Sequence, residues 1–166
     1  MKGKIIEAPE YIEVEGPMIF LAGPIQGADD WQKQAIAYIQ KRAPEIHIAS
    51  PRRDYFDFGE PFIYNKQVDW ETHYLRRAAK DGVILFWLAN EFDHACERAY
   101  AQTTRFELGE WKSKHESEGT KLVIGIDKDF TGAKYIRRRI PQDCPDVPIL
   151  NSLEETCDKA IEQILK

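Results

Sequence analysis

The stretch Gly82-Val-Ile-Leu-Phe-Trp-Leu-Ala89 is the longest apolar run in the chain, and it decides the fold class. It is apolar at odd and even positions alike, so a strand built from it has no face for water and must be covered by helices on both sides. Runs at Met18–Ala22 and Lys121–Ile126 share this character. Shorter runs at Ile46–Ala49 and Val147–Leu150 complete a predicted central, mostly parallel sheet of five strands.

Amphipathic segments alternate with these strands, which is typical of an α/β domain. A last helix is predicted after Ser152, because Ser152 and Glu155 have the spacing of a capping box. The other predicted helices cover residues 30–42, 65–80, 104–117 and 133–139.

Composition and charge exclude several classes of protein. The chain has 28 acidic and 23 basic residues and a net charge of −5, without the basic excess that binding to nucleic-acid phosphates needs. No apolar run reaches the roughly 18 residues of a membrane span, and the acidic start has no signal-peptide core. We therefore predict a cytoplasmic protein that binds neither nucleic acid nor membrane.

Length predicts one domain over residues 1–166, because 166 residues suffice for one substantial core. Residues 1–16 form an N-terminal arm, in which Ile5-Ile6 either adds an edge strand or covers a neighbour. The three cysteines include no C-x-x-C pair, and the four histidines have no H-E-x-x-H spacing. We expect no metal and no other cofactor.

Two connections are longer than the roughly 2–6 residues that usually join elements of a compact domain. They cover residues 50–64 and 90–103, and each follows the carboxyl end of a predicted strand. A shorter loop over residues 23–30 follows the first apolar strand. Because ligands of open α/β sheets bind at the carboxyl ends of the strands, these three loops are predicted to frame one pocket.

The segment Thr103-Thr-Arg-Phe-Glu-Leu-Gly-Glu-Trp111 allows two interpretations. Thr104 and Glu107 have the T-x-x-E spacing of a capping box, in which the glutamate only bonds a backbone N–H at the helix start. Alternatively, Glu107 lies in the first turn of a helix that opens into the pocket, where the helix dipole favours an ionised carboxylate. Such a carboxylate can attack the anomeric carbon of a sugar.

Four stretches, taken in order, resemble the nucleoside 2-deoxyribosyltransferase family, in particular its divergent deoxyribosyltransferase-like branch. They are Ile19-Phe-Leu-Ala-Gly-Pro-Ile25, Gln67-Val-Asp-Trp-Glu71, Asp81-Gly-Val-Ile-Leu-Phe-Trp87 and Thr103-Thr-Arg-Phe-Glu-Leu-Gly109. The resemblance implies a flavodoxin-like, three-layer α/β fold. It also implies cleavage of the N-glycosidic bond of 2′-deoxynucleosides through a covalent deoxyribosyl-enzyme, which a second base or water resolves.

The resemblance also implies roles for individual residues. The family's nucleophilic glutamate corresponds to Glu107, and an aspartate that helps the departing base corresponds to Asp81. The implied partners are a small nucleoside or nucleotide, a free nucleobase and further copies of the chain, in a homo-oligomer of at least two subunits. The residues expected to contact substrate are Phe20, Gly23, Pro24, Gln26, Asp54, Tyr55, Asp69, Thr104 and Arg105.

The chain departs from the family pattern at two positions. Phe20 stands where members have a tyrosine that hydrogen-bonds the nucleophile, so another group must orient Glu107. The candidates are Tyr55, Tyr64 and Tyr100. Ala101 stands where members have an aspartate six residues before the nucleophile. The remaining candidates for the acid that protonates the leaving base are Asp81, Asp54, Asp57 and Asp69.

Loop arginines and aromatic rings are further candidates for ligand contact. Arg52 and Arg53 either stay solvated or contact a phosphate. Aromatic rings offer flat faces for a nucleobase, although a ring in a helix more often packs in the core. The stacking candidates are Trp31, Phe56, Phe58 and Trp70. Two rival functions stay open: a nucleotide N-glycosidase that transfers the sugar to water, and a nucleotide-binding module without catalysis.

Overall fold

The computed structural model describes residues 2–53, 64–93 and 97–166, which form six strands and five helices. The strands are β1 (Ile5–Glu7), β2 (Met18–Ala22), β3 (His47–Ser50), β4 (Gly82–Leu88), β5 (Leu122–Ile126) and β6 (Ile149–Leu150). The helices are α1 (Trp31–Arg42), α2 (Tyr64–Asp81), α3 (Gln102–Glu118), α4 (Ala133–Asp143) and α5 (Leu153–Leu165).

Neighbouring strands are paired in parallel throughout the described sheet, in the order β1-β3-β2-β4-β5-β6. Without β1, the other five strands have the order of flavodoxin, so the predicted flavodoxin-like α/β fold is confirmed. The predicted number of five strands is wrong, because the N-terminal arm adds β1 beside β3. Of the two alternatives predicted for Ile5-Ile6, the edge strand is confirmed.

Two layers of helices cover the sheet. Along β4, alternate side chains point to opposite faces, as the period of a strand requires. Ile84 and Phe86 pack in the core beneath α2, α3 and α4, whereas Val83 and Leu85 pack in the core beneath α1 and α5. All four side chains are fully buried. The double-sided apolar character that predicted a covered strand is therefore explained by two cores, one on each face.

The predicted helices are all present, with small differences at their ends. Ser152 caps α5 by accepting a hydrogen bond from the backbone N–H of Glu155 at 3.2 Å, so this capping box is confirmed. Helix α4 continues to Asp143, beyond its predicted end at Arg139. Among the described residues, no helix is both long enough and apolar enough to span a bilayer.

The N-terminal arm holds α2 against the sheet. The indole Nε1 of Trp70 donates to the carbonyl oxygen of Glu10 at 2.7 Å, and the hydroxyl of Tyr74 accepts from the backbone N–H of Ile12 at 2.7 Å. Both aromatic rings are buried, and their centroids lie 4.6 Å apart. Because α2 also forms one wall of the pocket described below, the arm helps to place that wall.

Candidate active site

A pocket of about 440 Å³ opens at the carboxyl ends of β2 and β4. The strand order reverses at these two strands, so the loops that follow them diverge and leave a crevice. Its walls come from the segments 20–26, 51–53, 64–71 and 98–107. These segments include residues of all three predicted loops, and the predicted location of the pocket is confirmed.

The first loop is packed tightly against α1. A Cβ atom on Gly23 would lie 2.6 Å from Cζ2 of Trp31 and 2.3 Å from the carbonyl oxygen of Trp87, so a larger residue has no room here. The indole of Trp31 donates to the carbonyl oxygen of Pro24 at 2.8 Å. Gly23, Pro24 and Gln26 line the pocket as expected. The need for glycine at position 23 comes from packing behind the loop.

Backbone contacts join the first loop to the loop after β4. Gly27 has φ +82°, and its carbonyl oxygen accepts from the N–H groups of Phe92 and Asp93. Arg52 binds the same loop from the other side, because its guanidinium donates to the carbonyl oxygen of Asp29 at 2.8 Å. Arg52 is therefore not simply solvated, and the structure does not bring it to the pocket. Arg52 stabilises the loop itself.

Helix α3 begins three residues earlier than it would if Thr104 were its N-cap. Its N-cap is Ala101, which is left-handed at φ +56° and makes no side-chain capping bond, and the first helical residue is Gln102. Thr104 is buried inside the helix and lines the pocket. The capping-box interpretation is therefore wrong. Glu107 lies in the second turn, beyond the first-turn position predicted for it, where the helix dipole has faded.

Glu107 lines the pocket as a partly buried carboxyl group. No described residue forms a hydrogen bond with it. Burial raises its pKa to about 8, and the neighbouring carboxylates of Glu71 and Glu110 act in the same direction. Removal from water and the like charges thus oppose the ionised form that the helix dipole was predicted to favour.

Glu71, which sequence reasoning missed as a functional residue, is a second carboxyl group in the pocket. Burial raises its pKa, while the amide of Gln67, which donates to its Oε1 at 2.8 Å, opposes that effect. Two carboxyl groups in one pocket repel each other when both are ionised. Burial and this repulsion both favour a state in which the pair keeps one proton over a state in which both groups are ionised.

The helical period explains which residues of α2 reach the pocket. Tyr64, Gln67, Val68 and Glu71 follow the i, i+3, i+4, i+7 spacing of one helix face, and all four line the pocket. Tyr64 and Val68 are 58% and 39% exposed. Asp69 is exposed on another face and does not line the pocket. The sequence signal that could have identified Glu71 was this helical spacing, within the motif Gln67-Val-Asp-Trp-Glu71.

Asp81 lies at the opposite edge of the sheet. It is the last residue of α2, its carboxylate pairs with Arg77 at 3.1 Å, and β4 starts at the next residue. The pocket opens at the other end of β4, about 20 Å away along a strand of seven residues. The structure therefore does not bring Asp81 together with Glu107.

Arg105 points away from the pocket. Its guanidinium donates to the carbonyl oxygens of Tyr100 and Thr131 and lies over the ring of Phe130, 4.5 Å from the centroid. It joins the start of α3 to the turn after β5 and is not among the residues that line the pocket. The structure therefore does not bring Arg105 to the pocket, where contact with substrate was expected.

Three aromatic predictions are corrected by the structure. Trp31 and Trp70 are buried and donate to backbone carbonyl oxygens, so neither offers a face to a ligand. The hydroxyl of Tyr100 donates to the carbonyl oxygen of Ala89 at 2.8 Å and does not orient Glu107. Phe20 does line the pocket, with its ring 6.1 Å from that of Trp70.

Other polar side chains complete the described walls. Arg53, Arg98, Gln102 and Thr103 line the pocket beside the two glutamates. Within residues 2–53, 64–93 and 97–166, no cluster of His, Cys, Asp or Glu could hold a metal ion. The predictions that lie outside the described residues concern Asp54, Tyr55, Phe56, Asp57 and Phe58.

Fold and pocket together define an α/β protein with the flavodoxin strand order and a pair of carboxyl groups where that order reverses. A family model described as nucleoside 2-deoxyribosyltransferase like matches residues 16–130. The match covers more than half of the chain, and the chain belongs to this family. Comparison with curated proteins gives no match. The family acts on small-molecule nucleosides and bases and supports a related glycosyl-transfer function for this chain.

Proposed function

We propose that the protein transfers the 2-deoxyribosyl group of a 2′-deoxynucleoside to a second nucleobase, with retention at C1′. The observation that carries the proposal is the pair Glu71 and Glu107 in one pocket, at the place where this fold binds ligands. Retaining cleavage of a glycosidic bond needs one carboxylate to attack the sugar and one carboxylic acid to protonate the leaving group. Glu107 is the nucleophile, by the family resemblance, and Glu71 is the acid.

The first half of the reaction forms the glycosyl-enzyme. An ionised oxygen of Glu107 bonds to C1′ while the C1′–N bond breaks, and the electron pair of that bond goes to the base nitrogen. Glu71 gives its proton to the departing base and is left as a carboxylate. The reaction therefore proceeds from the form in which the shared proton lies on Glu71 and Glu107 is ionised, and the positive charge that develops on the sugar in the transition state favours this form.

The second half of the reaction runs the same steps in reverse. A nitrogen of the incoming base bonds to C1′, the ester bond to Glu107 breaks, and the proton of the incoming base passes to Glu71. One proton therefore serves both halves, which matches a carboxyl pair that holds one proton near neutral pH. Since one pocket receives both bases in turn, the kinetics are expected to be ping-pong.

The apolar lining supports the choice of substrate. Phe20 has no hydroxyl group to pair with a 2′-hydroxyl of ribose, and an unpaired buried hydroxyl costs roughly 1–3 kcal/mol. Tyr64 and Val68 present exposed apolar surface on the α2 wall, which suits a flat nucleobase. We therefore place the base along α2 and the sugar against Glu107.

A second candidate function is hydrolysis of 2′-deoxynucleotides by the same glycosyl-enzyme, with water as the acceptor. It is favoured by Arg53 and Arg98, since two guanidinium groups at the pocket wall suit a 5′-phosphate. The two candidates differ in the acceptor and in the need for phosphate. They share Glu107 and Glu71, so both depend on the same carboxyl pair.

The experiment that tests both is a product assay. Deoxyinosine and its 5′-monophosphate are each incubated with the protein, with and without free adenine. Transfer gives deoxyadenosine products only when adenine is present, whereas hydrolysis gives free sugar or sugar phosphate in either case. Acid quenching followed by peptide mass spectrometry is expected to find deoxyribose on the peptide that contains Glu107. Binding of both compounds without either product would indicate a non-catalytic binding module.

Assembly is a separate part of the proposal. The family resemblance leads us to expect a homo-oligomer of at least two subunits. Large apolar side chains that are exposed in the single chain, among them Phe92, Phe106 and Tyr135, support an interface between copies. Light scattering after size-exclusion chromatography is expected to give at least twice the 19.3 kDa mass of one chain.

A further inference from the structure

Gln67 connects the end of β3 to Glu71, the residue proposed to protonate the leaving base. Its Nε2 donates one hydrogen bond to the carbonyl oxygen of Pro51 at 2.9 Å and another to Oε1 of Glu71 at 2.8 Å. Both N–H bonds of the amide are therefore used. Neither the reaction scheme above nor the family match assigns Gln67 a role.

The contact with Pro51 determines which end of the amide faces Glu71. A backbone carbonyl oxygen can only accept, so the nitrogen of Gln67 must point toward Pro51. The second hydrogen of that nitrogen then points at Glu71, which must accept it. A carboxylate is the better acceptor for this hydrogen, so the geometry favours the ionised form of Glu71.

The opposite wall has no matching donor. Glu107 receives no hydrogen bond from any described residue. The other charged or titratable groups that line the pocket in the described residues are Arg53, Arg98 and Tyr64. The amide of Gln67 thus distinguishes two carboxyl groups that have the same chemical type and share one pocket.

We propose that Gln67 is a positioning residue, whose amide orients the Glu71 carboxyl group and stabilises its ionised form once the proton has passed to the leaving base. The proposal rests on the proposed function, because Glu71 is the acid of that reaction. While the sugar is bound to Glu107, Glu71 is an ionised carboxylate. Gln67 then holds it in place to accept the proton of the incoming base.

The test begins with the free protein, so that it does not depend on turnover. Glutamate side chains labelled with ¹³C are titrated by NMR, and the Glu71 signal is assigned from its loss in Glu71→Gln. In Gln67→Leu, the titration of Glu71 is expected to move to higher pH by about one unit, the size expected for a lost hydrogen bond to a charged group. An unchanged titration of Glu71 would overturn the proposal.

A matched control separates this role from general packing. Gln163 also donates from Nε2 to a backbone carbonyl oxygen, that of Leu122 at 3.3 Å, far from the pocket. Gln163→Leu is expected to leave the titration of Glu71 where it is. Gln67→Glu keeps the size of the side chain and puts a negative charge beside Glu71, so it is expected to raise that titration further than Gln67→Leu. A smaller rise in Gln67→Glu would contradict the mechanism.

Kinetics supply the second measurement. Gln67→Leu is expected to lower kcat about tenfold, with KM changed less than twofold, and to shift the acidic limb of the rate profile in the same direction as the NMR titration. A rise in KM with unchanged kcat would overturn the positioning role. If the wild-type protein shows no glycosyl transfer or hydrolysis, the proposed function fails while the NMR titration still decides whether Gln67 controls Glu71.

Discussion

The α2 and α3 walls of the pocket each carry one glutamate, in different surroundings. On α2, Glu71 is held by an amide that is itself fixed to the end of β3. On α3, Glu107 has no such donor among the described residues, and burial and like charges raise its pKa to about 8. In the proposed reaction, this difference prepares two side chains of the same type for different tasks, with Glu71 oriented by a hydrogen bond and Glu107 left without one as the nucleophile.

Removal of the α3 carboxyl group is expected to have the largest effect. Glu107→Gln leaves no nucleophile, and kcat should fall by a factor on the order of 10³ or more. The melting temperature should not fall, because Glu107 makes no hydrogen bond to a described residue. Glu118→Gln, at the exposed end of the same helix, serves as the control and should keep its activity. Turnover by Glu107→Gln at the wild-type rate would show that Glu107 is not the nucleophile.

The effect on kcat of removing the α2 carboxyl group, that of Glu71, should depend on the leaving base. Glu71→Gln lacks the acid, so kcat with deoxyinosine should fall about 10²-fold or more. With 7-methyl-2′-deoxyguanosine the loss should be small, because that base is already cationic and departs without a proton. Steady-state assays with both substrates check this. Equal losses on the two substrates would show that Glu71 does not protonate the leaving base.

The pH dependence of kcat/KM should be bell-shaped. The pair works with one proton, so activity is expected to fall on the alkaline side as the pair loses it, with a limb near pH 8 set by the raised pKa of Glu107. Above this limb the rate should drop about tenfold per pH unit. Assays from pH 5 to 10 check the profile. A rate that stays constant from pH 7 to 10 would contradict a shared proton.

Stability should also report the raised pKa of Glu107. The pKa of Glu107 is higher in the folded state, at about 8, than the ordinary 4.5. The stabilising contribution of the protonated group to the unfolding free energy is therefore fully present below pH 4.5 and is lost as pH rises through about 8. Relative to Glu107→Gln, the wild-type protein should therefore lose on the order of 1–2 kcal/mol of unfolding free energy between pH 4.5 and 9. Urea unfolding of both proteins across this range measures the difference, and no difference between them would show that burial does not raise the pKa of Glu107.

A substitution in the apolar part of the α2 wall should have the smallest effect on the kinetics. Tyr64→Ala removes a partly exposed ring from the pocket mouth, and KM for the nucleoside should rise about fivefold, the size of one aromatic contact of about 1 kcal/mol. The value of kcat should change little, because the structure shows no hydrogen bond between Tyr64 and either glutamate among the described residues. Substrate titrations with Tyr64→Phe as the matched control check that the ring, and not the hydroxyl, is responsible.

Sequence reasoning succeeded where a signal was local and repeated. The apolar run over Gly82–Leu88 predicted a strand covered on both faces, and the spacing of Ser152 and Glu155 predicted a helix start. The same spacing at Thr104 and Glu107 misled, because the helix already starts at Gln102. A capping box involves only four residues, and it does not show whether the residues before it are already helical. Here Gln102 and Thr103 are helical, so Thr104 cannot be the N-cap.

Two aspartates show what sequence reasoning lacked. Asp81 precedes the central strand, and only the direction of β4 shows that this places it at the edge away from the pocket. Asp69 and Glu71 are two residues apart on one helix, and only the orientation of α2 on the sheet shows which of them faces the pocket. Both errors concern direction in space, which a one-dimensional pattern does not carry.

By itself, the sequence determined the α/β class, the parallel central strands, the loops that frame the pocket and the candidate Glu107, because hydrophobic period and loop length are properties of short segments. The tertiary structure alone decided that Glu71, and not Asp81, shares the pocket with Glu107, and that burial raises the pKa of Glu107. Distances between segments and the exclusion of water arise only when the helices pack on the sheet, so no segment contains that information.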